Sequence, residues 1–157
     1  MTATAHALVA GAIAVKFADP VTAATLAITS HFIMDAIPHW DVGTNWRNRA
    51  KEMTAILAIL ETLFGTTIAY LVFMGKAPTI TLLAAIAASL LPDWLETPWY
   101  IFYAKQSKHE PAKSAGVGEK LSYLIYKAEN KFHTKAQYPF GLVTQIAAVI
   151  FFLKLLS

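Results

Sequence analysis

The sequence predicts an all-α integral membrane protein, and three observations carry that expectation. Hydrophobic residues make up 56% of the 157 residues, against 15% charged. The mean hydropathy is +0.47. The apolar residues gather into continuous runs separated by polar connections, which is the pattern of buried or membrane helices. At this length the chain is a single domain spanning residues 1–157.

Taken in order, the first run is Thr4–Phe17 and the second Val21–Ile37. Both are short for a span of about 20 residues, so they are expected to tilt, to thin the bilayer locally or to pack inside the bundle. The N-terminal run lacks a basic flank and contains His6, so it reads as an uncleaved helix rather than a signal peptide. Pro38 should stop the second helix, because it has no N–H and disfavours helical geometry at Ile37. Met53–Met74 is long enough to cross a bilayer, as is Pro139–Leu156. Between them lies Pro78–Tyr103, with an expected interruption at Pro92-Asp93. Five apolar segments give five crossings, or four if the first two form a re-entrant hairpin. The stretch at about 105–120 is polar, carries Gly116 and Gly118, and reads as a mobile loop in which His109 is solvated. Leu121–Phe132 places Leu121, Leu124, Ile125 and Ala128 on one face, as expected of an amphipathic helix on the membrane surface. Trp94, Trp99, Tyr100, Phe102 and Tyr103 read as interfacial aromatics.

Charge sets the expected orientation. Arg47, Arg49 and Lys51 mark one connection, and seven lysines from Lys105 to Lys135 mark another on the same side. The positive-inside rule puts both connections and the N-terminus in the cytoplasm. With no eukaryotic targeting signal, a prokaryotic inner membrane is the expected location. The formal charge of +3 is small, and basic residues do not interleave with aromatics, so nucleic acid is not an expected partner. The lipid bilayer is. The chain has no cysteine, which excludes disulfides and leaves only histidine and carboxylate as strong metal ligands.

Ser30 to Asp41 concentrates the chemistry. His31 and Asp35 lie four apart on one helical face, and His39 and Asp41 follow Pro38 in a turn that can fold back over them. Ionisable groups inside membrane segments are costly and usually face the bundle or a cavity. On the expected topology His6, Glu61, Asp93 and His133 come to the same membrane face at similar depth. His6, His31, Asp35, His39, Asp41, Asp93 and His133 are therefore the candidate metal ligands. Glu61 and Glu96 are the candidate carboxylates for proton transfer, and Glu129 shares a face with His133. Mixed imidazole and carboxylate ligands point first to zinc, with manganese or iron as alternatives, as one or two ions. No nucleophile elbow, phosphate loop or zinc-protease signature is present.

These residues resemble the small prokaryotic membrane-bound metal-dependent hydrolases. The similar pieces are Thr4-Ala5-His6-Ala7-Leu8-Val9-Ala10-Gly11, Ser30-His31 through Asp41, Leu90-Leu91-Pro92-Asp93, and His133 before the last helix. Together they reach over most of the chain, each motif being short. That family is more loosely similar to zinc-dependent phospholipase C, which implies a phosphoester substrate, of a lipid or lipid-linked molecule. Its Leu-Pro-Asp-x-Asp motif is altered here, because Trp94 and Leu95 follow Asp93. One expected ligand is missing or is supplied by Glu96, which leaves the number of ions open. The expected function is hydrolysis by a metal-activated water at the cytoplasmic interface. The alternative is a non-catalytic membrane protein, with an ion or proton path or a structural metal tying helices together.

Overall fold

A computed structural model describes residues 1–44, 46–104 and 110–157. The part of the expected loop at 105–109, His109 included, lies outside the described residues. Among the described residues there are six α-helices: α1 (Ala3–Lys16), α2 (Pro20–Asp35), α3 (Lys51–Phe73), α4 (Thr79–Pro98), α5 (Val117–Phe132) and α6 (Phe140–Leu156). No strand occurs among the described residues. Helix α5 starts four residues earlier than the sequence pattern suggested, so Val117–Lys120 are helical rather than loop.

Local chemistry sets the boundaries. Thr2 caps α1 by accepting the Ala5 N–H, and Asp19 caps α2 by accepting the Thr22 N–H at 2.7 Å, with Pro20 in the first turn. Helix α2 ends at Asp35, three residues before Pro38. Pro92 does not interrupt α4, contrary to expectation. A proline removes one backbone hydrogen bond. Here Pro92 is buried, and α4 packs along α2 and α1, so tertiary contacts carry the helix through that gap. After Pro98 the backbone widens into a π-turn over Trp99–Tyr103, closed by the Ala104 N–H on Trp99 O at 2.7 Å.

Helix α1 is the hub. It packs on α2, α3, α4 and α6, and most of its residues are buried alanine or other small side chains. Small residues let backbones approach closely. Gly65 of α3 shows how closely: a Cβ there would sit 2.6 Å from Thr4 N. A second, aromatic cluster of Trp46, Trp99, Tyr100, Tyr103, Tyr123 and Tyr126 joins α5 to the end of α4. Trp99 is therefore packed inside the protein, whereas Phe102 is largely exposed.

Among the described residues two helices are long and apolar enough to cross a membrane, Lys51–Phe73 and the continuous Thr79–Tyr103. The other apolar helices, α1 and α6, are shorter, and at 1.5 Å per residue α1 extends only about 21 Å. Only Gly65 and Ala69 of α3 are buried, and Leu60, Leu63, Phe64 and Leu71 point outward. An apolar helix with so little buried surface differs from the core helix of a soluble domain.

Candidate metal centre

The end of α2 and the segment after α5 zip together, and this pairing builds the centre. Thr134 N–H donates to Asp35 O at 2.8 Å, His39 N–H to Thr134 O at 3.0 Å and Ala136 N–H to His39 O at 2.7 Å. His133 is thereby laid against His39 across 94 positions of sequence. Gly141, at the start of α6, lets the paired segments seat. A Cβ on it would meet Trp40 N at 2.6 Å and Ala136 O at 2.7 Å. Gly141→Ala is expected to push the His39 segment out of register, lower thermal stability by about 1–3 kcal/mol and reduce bound metal. Thermal melts and elemental analysis of the purified variant check this.

Asp35 lies at the middle. Its Oδ1 is 3.1 Å from His6 Nε2 and 3.7 Å from His39 Nε2. Its Oδ2 is 3.3 Å from His31 Nε2 and 3.6 Å from His133 Nδ1. The Met1 amino group also meets Oδ1. The potential ligands among the described residues fall into two groups, His6, His31 and Asp93 in one and Asp35, His39 and His133 in the other, so Asp35 belongs to the second group while touching histidines of the first. Asp41 joins the second group, its Oδ2 lying 2.7 Å from His133 Nε2 and 3.4 Å from His39 Nε2. Thr44 fixes Asp41 by donating its hydroxyl at 3.0 Å.

The ring orientations test whether these groups suit a cation. His31 Nδ1 donates to the Ser89 carbonyl at 2.8 Å, and His39 Nδ1 donates to the Ile37 carbonyl at 2.7 Å. A carbonyl can only accept, so in each neutral ring the lone pair lies on Nε2. His31 Nε2 is buried without a hydrogen-bond partner and faces Asp35, Asp93 and Glu129 oxygens at 3.3, 3.9 and 3.9 Å. His39 Nε2 faces His133 Nε2 at 2.7 Å and two aspartates. Lone pairs aimed at carboxylates repel unless a proton or a metal cation lies between them. Metal-ligating histidines commonly donate their second nitrogen to a backbone carbonyl in this way. Ligand atoms about 2.0–2.1 Å from a tetrahedral zinc stand about 3.3 Å apart, close to several of the separations here. The residues present fit a divalent cation.

All seven expected ligands are brought together. His6, whose place near the N-terminus gave the weakest reason to expect a role, is 1% exposed and stacks on His31 with ring centroids 4.1 Å apart. The two candidate proton-transfer carboxylates lie farther out. Glu61 accepts the Thr4 N–H on Oε1 at 3.2 Å, and Glu96 is buried with Oε2 unpartnered. Sequence reasoning gave no ligand role to Glu129, yet it stands as close to His31 Nε2 as Asp93 does. The signal available was its four-residue spacing from His133.

Electrostatics outside the apolar helices follow from this crowding. Burial opposes the Asp41 charge, but His133, His39 and Lys135 outweigh it and hold the carboxyl well below its usual range. Burial lowers the His133 imidazole despite its Asp41 bond, keeping the ring in the form that can ligate. Burial, with the Asp35 charge beside it, raises the Glu129 carboxyl from 4.5 to about 7. Between those values the folded metal-free chain holds a proton that the unfolded chain has released. Its stability should therefore fall as pH rises from about 4.5 to about 7 relative to Glu129→Gln, which lacks the titration. Paired thermal melts in chelator across that window check the sign.

A cavity of about 110 Å³ opens beside the centre. Asp41, Asp93, His133 and Lys135 line it on the ligand side, and Glu61, Glu96, Leu90, Trp46, Trp94 and Tyr100 complete other parts of the wall. Lys135 Nζ lies 3.6 Å from Asp41 Oδ1. The chain was compared with protein families, curated proteins and solved structures, and none of them matches it.

Proposed function

We propose that this chain is an integral membrane metal-dependent hydrolase acting on a phosphoester of a lipid or lipid-linked substrate. The observation that carries the proposal is the pair of carbonyl-anchored histidines, His31 and His39, whose Nε2 atoms face carboxylates beside an open cavity. A structural metal site is closed by its protein ligands, whereas a catalytic one keeps a position open. Here Asp41, Asp93 and His133 border the cavity, which favours catalysis over a structural tie between helices. The resemblance to small prokaryotic membrane-bound hydrolases supports the same conclusion.

His6, His31, Asp93 and Glu129 would hold one ion and Asp35, His39, Asp41 and His133 a second, Asp35 also lying within reach of His6 and His31. Zinc suits this donor set first, with manganese or iron as alternatives. A divalent ion there supplies a lowered water pKa and positive charge for a phosphoryl oxygen. Lys135 places an ammonium on the same wall for phosphate. Glu61, anchored through Oε1 by the Thr4 N–H and lining the cavity, takes the water proton. Helices α1, α2 and α6 complete the bundle within the bilayer, and the centre opens to the cytoplasm of a prokaryotic inner membrane.

Elemental analysis of detergent-purified protein, followed by turnover on a phospholipid panel, tests this. Two divalent ions per chain and chelator-sensitive release of a phosphorylated product are expected. Bound metal without turnover would make the centre structural, and no metal after reconstitution would remove the proposal altogether.

A further inference from the structure

Helix α5 is amphipathic, yet it packs on the protein with its polar and aromatic side. Val117, Leu121, Leu124, Ala128 and Phe132 recur at three- and four-residue spacings and form one apolar stripe. That stripe points outward: Val117 is 83% exposed, Leu124 61% and Phe132 47%. On the opposite side Ser122 and Glu129 are buried. The Tyr123 and Tyr126 rings lie 5.0 and 5.6 Å from the Trp99 ring, holding the helix to the π-turn. A surface helix of a soluble domain turns its apolar stripe to the core and its charges to water. In α5 the apolar stripe faces away.

The charges around the stripe are ordered too. Lys120, Lys127 and Lys131 run along one of its edges, and all three are exposed. Lys120 Nζ donates to the Lys113 carbonyl, while Lys127 and Lys131 lie over the Tyr123 and Phe132 rings at 5.9 Å. Among the described residues no carboxylate pairs with any of them. At the end of the helix the stripe continues onto α2. Phe132 meets Phe32 edge-on at 5.7 Å, and the adjoining Ile33 is 52% exposed.

We propose that the outer face of α5 docks on an anionic lipid surface, its apolar stripe in the bilayer interface and its lysines on acidic head groups. Charge selects this occupant. A second copy of the chain using the same face would bring its own lysines to the contact, and like charges repel. A lipid interface accepts both features at once. The lysine stems lie along the apolar layer while their ammonium groups reach the head groups. Each lysine beside an anionic leaflet favours docking about fivefold. Glu129 lies on the inner face of α5 and His133 follows its last turn. A docked α5 therefore holds the metal centre at the level of the head groups. The inference rests on the membrane part of the proposed function and is independent of hydrolysis.

The chain has no cysteine, so a single introduced thiol can carry a polarity-sensitive nitrobenzoxadiazole dye. Leu124→Cys reports the stripe, Asn130→Cys the exposed polar side of the same helix, and Leu63→Cys the outward face of α3. Each labelled full-length chain is placed in phosphatidylcholine nanodiscs, with or without phosphatidylglycerol, containing a nitroxide-bearing lipid as quencher. The dye at position 124 should shift to the blue and be quenched, more strongly with phosphatidylglycerol, while the dye at 130 stays in water. Lys127→Gln and Lys131→Gln should each lower the docked-to-free ratio read at position 124 by about fivefold, with melting temperature and bound metal unchanged. Quenching at position 63 without quenching at 124 overturns the inference and leaves the membrane reading standing. A dye at 124 that is dry but unquenched, with crosslinking between chains through that thiol, assigns the face to a second copy and overturns it too. Quenching at 124 that ignores both phosphatidylglycerol and the lysine variants overturns the choice of an anionic surface. No quenching at any position would overturn the membrane reading along with the inference. Docking without phosphoester turnover would overturn the hydrolase proposal alone.

Discussion

In the proposed two-ion centre, Asp35→Asn is expected to lower the occupancy of both ions at once. Each oxygen of Asp35 faces one histidine from each group: Oδ1 meets His6 and His39, and Oδ2 meets His31 and His133. Asparagine keeps the shape but removes the charge and turns one acceptor into an N–H donor. That donor would point at ring nitrogens that the wild type holds ready for a cation. Loss of an outer partner at a metal site costs about 10–100-fold in affinity, and loss of a shared ligand should exceed the upper end of that range. His39→Ala gives the contrasting result. It removes a ligand from one group and leaves His6, His31, Asp93 and Glu129 in place, so the metal content should fall from two ions to one. Elemental analysis of the two variants beside wild type separates these cases. Two ions retained in Asp35→Asn would show that the carboxylate does not bridge the groups.

How far this arrangement was legible in the sequence depends on how local each feature is. The helices could be read because their apolar runs are continuous, and their ends fall within a few residues of the runs. His31 and Asp35 could be paired from helical spacing alone, and their atoms lie 3.3 Å apart. His39 and Asp41 could be expected to fold back because Pro38 ends the preceding element. Other features depend on non-local contacts. Pro92 signals a break, and only packing of α4 on α2 and α1 explains why none occurs. The backbone pairing of His39 with the 134–136 segment carries no hydrophobic periodicity, so nothing in either segment announces it. Glu129 looked like one more charge on the polar side of an amphipathic helix. Its burial follows from α5 docking on α4 and the π-turn through aromatic contacts. Apolar composition was legible, and two helices among the described residues are long and apolar enough to cross a membrane, but the number of crossings was not legible. Short helices such as α1 can be lipid-spanning or enclosed, and here α1 is enclosed by its neighbours.

Glu61→Gln should lower turnover by about 10²–10⁴-fold, the range ordinarily lost with a positioned proton acceptor, while leaving both ions bound. Glu61 belongs to α3 and is absent from both ligand groups, so its removal should not change metal stoichiometry. Glutamine can still accept the Thr4 N–H that Glu61 takes at 3.2 Å, so the contact between α3 and the start of α1 survives. That contact matters because Gly65, one turn along α3, already brings the α3 backbone against Ala3 and Thr4. A purely structural role would therefore leave turnover, melting temperature and metal content all unchanged in Glu61→Gln. A proton-accepting role would show as lost turnover, an unchanged melt and unchanged metal content. A second signature separates the two further: if Glu61 takes the proton, the acid limb of the pH–rate profile should disappear in Glu61→Gln. Turnover and pH profile both unchanged in that variant would move the proton to a different carboxylate on the cavity wall. Glu96 would be the remaining candidate not already facing a histidine.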